Sequence, residues 1–86
     1  MALLIVIVED DAQIRRVVEG YLNQDGYRVL TALDGPSGLS MIQQERPVLV
    51  ILDIMVPGMD GLEIARRLRS NSDPVISGVY IIMLTA

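Results

Sequence analysis

Four carboxylates sit where this chain changes character. Glu9-Asp10-Asp11 follows the apolar run Leu3–Val8, and Asp53 follows the run Val48–Leu52. Continuous apolar runs of this length read as strands buried on both faces, the pattern of a parallel sheet. In open parallel sheets the ligand crevice lies outside the carboxyl ends of the strands. If the two runs are neighbours, Asp10, Asp11 and Asp53 meet in one small pocket. Unit charges about 4 Å apart repel by about 1 kcal/mol in water and by about 4 kcal/mol at an effective dielectric of about 20. Such a cluster either takes up a proton or binds a cation. An all-oxygen donor set selects a hard cation, Mg2+ or, in its place, Mn2+. Mg2+ is commonly held by one or two carboxylates together with phosphate oxygens. An Asp at the tip of a rigid strand can itself attack phosphorus while the metal neutralises the transferring group. Asp11 also stands where a helix cap is expected. Glu9 is expected to be solvated, or to stand behind the ligands rather than to ligate.

Composition narrows the chemistry further. The 86 residues allow one domain, spanning residues 1–86. There is no cysteine and no histidine, and all seven basic residues are arginines. Thiolate and imidazole metal sites, histidine base catalysis, a P-loop lysine and Schiff-base chemistry are therefore excluded. A net charge of −4 and a pI near 4.5 argue against nucleic-acid binding by this segment. The hydrophobic share of 51% and mean hydropathy of +0.44 predict a folded core and some apolar surface covered by something else. No apolar run approaches the ~18 residues of a membrane span, and the first run lacks the basic flank of a signal peptide. A cytoplasmic domain without membrane contact is expected.

The elements that must position these acids alternate along the chain. Leu3–Val8 reads as a strand and Ala12–Asn23 as a helix, with Ile14, Val17, Val18, Tyr21 and Leu22 on one apolar face. Gly26 suits the left-handed residue after that helix. Tyr27–Ala32 reads as a second strand, and Asp34-Gly35-Pro36 as a turn into a helix over Ser37–Glu45. Val48–Leu52 is the third strand and Ile54–Gly61 a loop. Leu62–Arg69 reads as a helix with Leu62, Ala65 and Leu68 inward. Ser70–Gly78 reads as a loop and Val79–Leu84 as the fourth strand. This βαβαβαβ order predicts a parallel sheet with helices on both faces and right-handed crossovers.

Asp53-Ile54-Met55-Val56-Pro57-Gly58-Met59-Asp60-Gly61 closely resembles the phosphorylation loop of response-regulator receiver domains. Leu3–Asp11, Asp34-Gly35 and Met83-Leu84-Thr85-Ala86 match the same family in the same order, so the resemblance runs the length of the chain. It implies a flavodoxin-like, doubly wound α/β fold with strand order 2-1-3-4. It makes Asp53 the phosphoacceptor for a sensor histidine kinase, in a domain that switches but does not turn over substrate. It makes Asp11 a direct Mg2+ ligand, Asp10 a ligand through water, and the Met55 backbone carbonyl a further ligand, with Asp53 completing the set. Thr85 would be the switch hydroxyl that meets the phosphoryl oxygen. An effector domain or other output partner is also implied.

The family pattern continues through a further helix, a fifth strand carrying a lysine, and a last helix. This sequence stops after the fourth strand and has no lysine. The expectation is an incomplete receiver whose fourth strand is a sheet edge and whose first helix is uncovered, both favouring homo-oligomers or completion by a partner chain. A signalling-incompetent fragment of that kind is the alternative to a working phosphoacceptor.

Overall fold

A computed structural model describes residues 2–84. Along the chain run β1 (Leu4–Val8), α1 (Ala12–Gln24), β2 (Arg28–Ala32), α2 (Gly35–Glu45), β3 (Leu49–Asp53), α3 (Gly61–Arg69), α4 (Pro74–Ser77) and β4 (Tyr80–Leu84). The four strands form one parallel sheet in the order β2-β1-β3-β4. The α/β fold and the strand order are those expected from the sequence.

β1 and β3 are buried on both faces, which is why they are apolar throughout rather than alternating. Val6, Val8, Val50 and Leu52 face a core completed by Leu39 and Ile42 of α2, Ile64 and Leu68 of α3, and Ile76 of α4. Ile5, Ile7 and Ile51 face the other way, against Val18 and Leu22 of α1. Only part of the predicted α1 face is therefore used: Ile14, Val17 and Tyr21 remain exposed. In α3 the inward residues are Ile64 and Leu68, whereas Leu62 points to solvent. Leu68 is inward as expected and Ala65 packs against the same core, so the difference is that Ile64 takes the place expected for Leu62.

The segment read as the loop Ser70–Gly78 contains a helical turn, α4. Asp73 caps it by accepting from the Val75 N–H, and Pro74 occupies its first turn. An Asp-Pro pair is a helix start as well as a turn signal, and Ile76 anchors the turn in the core. Asp73 also pairs with Arg46 at 2.9 Å, tying α4 to the end of α2. α2 begins at Gly35, two residues before the expected start. Its glycines permit close packing: a Cβ on Gly38 would collide with the Val8 side chain. β4 is an edge strand among the described residues, with Tyr80 78% exposed and Ile82 49% exposed.

Candidate functional site: an acidic pocket at the carboxyl end of the sheet

β1 and β3 are adjacent and in register, with Val8 opposite Leu52. The residues that follow, Glu9 and Asp53, therefore emerge side by side at the carboxyl edge. One carboxylate oxygen from each of Glu9, Asp10 and Asp53 lies within 4.8 Å of the others. Glu9 is buried at 1% exposure, Asp10 is exposed and Asp53 is half-buried. The Glu9 N–H also donates to the Ala32 carbonyl at 3.0 Å, which extends the β1–β2 pairing to the pocket floor.

Asp11 is elsewhere. Its Oδ1 accepts from the Gln13 N–H at 2.9 Å and the Ile14 N–H at 3.1 Å, capping α1. The acid placed in the pocket beside Asp10 is therefore Glu9, not Asp11. The structure thus brings Asp10 and Asp53 together as expected but not Asp11, and of the two expected places for Glu9, in solvent or behind the ligands, it has the buried one. The physical reason is spacing. Asp11 immediately precedes the first helical residue, where four orphan N–H groups need acceptors. Glu9 immediately follows the last buried strand residue, and its side chain is carried into the interior. The signal was in the sequence: of three consecutive acids, the one bordering the helix is the cap.

Burial is the main reason the Glu9 carboxyl is pushed up to about 7. The neighbouring Asp53 and Asp10 raise it further, while the Asp11 N–H, donating to Glu9 Oε2 at 3.2 Å, holds it down. The pocket thus gathers two more accessible carboxylates around a buried one. Its donors are all oxygens, and the chain offers no thiol or imidazole to compete. That donor set fits a hard divalent cation of the Mg2+ type.

The loop after Asp53 is held on both sides. Asp53 Oδ1 accepts from the Met55 N–H at 3.2 Å, and the Met55 side chain is 79% exposed. The Gly61 N–H donates to the Ile54 carbonyl at 2.8 Å, closing the loop, and Asp60 caps α3. The Gly35 N–H donates to the Pro57 carbonyl at 2.8 Å, bracing the loop against the β2–α2 turn. Gly58 has φ of 83°, a conformation that favours glycine. A Cβ on Gly61 would lie 2.5 Å from the Asp53 carbonyl oxygen. A cleft of roughly 430 Å³ opens between Asp10 and this loop, lined by Ile54, Met55, Val56, Pro57 and Asp60. Thr85, the expected switch hydroxyl, lies outside the described residues.

Fold and pocket together define an open parallel α/β domain with an acidic site at the carboxyl end of its sheet. The family model for the response regulator receiver domain matches residues 5–86, and the chain belongs to this family. The transcriptional regulatory protein AfsQ1 of Streptomyces coelicolor is 42% identical over 82 residues, covering 95% of this chain and 34% of that protein. The probable transcriptional regulator ycf27 of Guillardia theta is 46% identical, covering 95% of this chain and 30% of its own length. The chain thus spans about a third of the length of the curated relatives it matches. Among solved structures, the N-terminal receiver of a Methanoculleus marisnigri response regulator superposes with a TM-score of 0.87 at 36% identity, covering all of this chain and 68% of that one. The receiver domain of the Pseudomonas aeruginosa sensor kinase PA1611 gives 0.92 at 30% identity, covering all of this chain and 69% of its own, and holds a magnesium ion in its active-site cleft. Receiver domains are the signalling domains of two-component systems and bind Mg2+ at an acidic pocket. No helix among the described residues is long and apolar enough to cross a membrane.

Proposed function

We propose that this domain accepts a phosphoryl group on Asp53 from the phosphohistidine of a sensor histidine kinase, in a Mg2+-dependent reaction, and signals through the change. The observation that carries the reading is the convergence of Glu9, Asp10 and Asp53 at the carboxyl ends of adjacent strands. A carboxylate oxygen of Asp53 attacks phosphorus, the P–N bond to the imidazole breaks, and the imidazole leaves with that electron pair. The Met55 N–H holds Oδ1, leaving the second oxygen free to attack. Asp10, Asp53 and the Met55 carbonyl would hold the metal, with Glu9 behind them. A bound Mg2+ would supply the charge that offsets the crowded carboxylates and the incoming phosphoryl oxygens. Asp11 is assigned the helix cap instead of the direct ligand role implied by the resemblance. Thr85 keeps its assignment as the hydroxyl that meets the phosphoryl group, on the resemblance alone. A cytoplasmic location for this domain, and an effector domain or other output partner beside the sensor kinase, follow from the same reading.

Incubation with acetyl phosphate and Mg2+ should give a phosphoryl adduct visible by intact mass. Chelation or the Asp53→Asn change should abolish it. An adduct on the Asp53→Asn variant, or none on the native chain, refutes the reading.

A second reading, self-association, is favoured by the exposure of Tyr80 and Ile82 on β4 and of Ile14, Val17 and Tyr21 on α1. A monomeric mass by light scattering would count against it.

A further inference from the structure

α1 carries a charge in an unfavourable place. Arg15 is the fourth residue after the Asp11 cap, near the positive end of the helix dipole, and the first turn contains no acid. Its half-buried side chain does not extend into solvent. It folds back so that one nitrogen, Nη1, donates to the Glu9 carbonyl at 3.2 Å and to the Asp10 carbonyl at 3.5 Å. Among the described residues it forms no ion pair. A local rule is broken here, and what offsets it lies at the acidic pocket.

The two carbonyls belong to the peptide groups on either side of Asp10. Fixing both planes fixes the backbone dihedrals of Asp10 and so the direction in which its Cβ leaves the chain. Asp10 is exposed, and besides Arg15 its backbone is restrained by the Asp11 N–H donated to Glu9 Oε2. Glu9 is set by burial and Asp53 by its strand and the Met55 N–H. We propose that Arg15 is a positioning residue for the pocket: it holds the Asp10 carboxylate where a divalent cation can share it with Asp53. The inference rests on reading the pocket as a metal site.

The sign of the effect separates positioning from charge. Deleting a cation beside a metal pocket strengthens dication binding by Coulomb's law alone. Deleting a positioning contact weakens it, typically by about 10- to 100-fold. Calorimetric titration of the apo chain with Mg2+ distinguishes the two. Arg15→Ala is expected to lower affinity by about 10-fold. Arg15→Lys keeps the charge without the planar fork and is expected to fall between the variant and the native protein. Arg16→Ala removes the same charge from the same helix without the carbonyl contacts, and should leave affinity unchanged or slightly raised. Circular dichroism checks each fold; if Arg15→Ala does not fold, Arg15→Lys and Arg15→Gln carry the comparison. Affinity in the Arg15 variants equal to or above native, or full restoration by Lys, overturns the positioning role. A native chain that binds no Mg2+ overturns the metal reading of the pocket and this inference with it.

Discussion

Replacing Glu9 by Gln removes the charge at the centre of the pocket while keeping the side chain's shape and an oxygen to accept the Asp11 N–H. The Glu9 carboxyl is raised from an ordinary 4.5 to about 7, first by burial and then by Asp53 and Asp10. Because the folded-state value is the higher one, the folded protein binds more protons than the unfolded chain between pH 4.5 and 7. Stability contributed by Glu9 is therefore full below pH 4.5, lost as pH rises through that window, and constant above it. At about 1.4 kcal/mol per pH unit the loss is on the order of 3 kcal/mol. For a domain of this size 1 kcal/mol corresponds to roughly 4–8 °C in melting temperature, so the difference reaches about 10–20 °C. Thermal melts of the metal-free Glu9→Gln variant should accordingly exceed native by that order at pH 8 and by little at pH 4.5. Saturating Mg2+ should narrow the gap at pH 8, since a cation offsets the same repulsion. Parallel melting curves for the two proteins from pH 4.5 to 8 would refute a strained, buried Glu9.

Two further outcomes follow from the helix ends. Asp11→Ala should cost about 1 kcal/mol of stability through the lost cap, whereas Asp11→Asn should cost little and leave Mg2+ affinity near native; a loss in Asp11→Asn as large as in Asp10→Asn would return Asp11 to the ligand set. Glu63 is held at about 2, chiefly by its hydrogen bond to Arg66 and then by that to Arg67. Its stabilisation is present above pH 4.5 and lost as pH falls through 2. The advantage of native over Glu63→Gln should therefore shrink across that acidic range, and shrink with added salt; an advantage independent of both would argue against the ion pairs.

The sheet was legible because its information is local. Runs such as Ile5–Val8 and Val50–Leu52 leave a strand no polar face, and a parallel sheet covered on both sides is the architecture that accommodates them. Strand order followed from the family resemblance that the loop motif carries, and the proximity of Asp53 to the β1 acids from the two runs ending side by side. What failed was choice among neighbours. Asp10 and Asp11 differ by one position, and Asp11 carried two expectations at once, the helix cap from its position and the ligand role from the resemblance. The cap geometry of α1 decides it, through N–H groups that exist only once the helix forms. The burial of Glu9 was equally hidden, because acidic residues are rarely buried and nothing in its type predicts it. α4 was missed because its single turn depends on Ile76 reaching a core built by distant residues. Arg15 was invisible for a different reason: its side chain folds back onto two backbone carbonyls, a contact that exists only once β1 and α1 are in place.

The three acids reach the pocket by different means, and that difference fits the roles proposed for them. Glu9 is fixed by burial, at the cost of a carboxyl that resists ionisation. Asp53 is fixed by β3 and by a loop whose backbone leaves no room for a Cβ at Gly61. The Gly35 contact to Pro57 ties that loop to the β2–α2 turn, so the segment carrying Asp53 is braced from both sides. Asp10 alone is exposed, and its backbone is held from outside by one guanidinium nitrogen. A nucleophile benefits from rigidity, because a fixed geometry of attack lowers the entropic part of the barrier. A metal ligand at the pocket mouth benefits from access, because the ion and its waters must enter and leave. Restraint therefore falls where chemistry would occur and exposure where exchange would occur, as expected if the acids act on a phosphoryl group together with a cation.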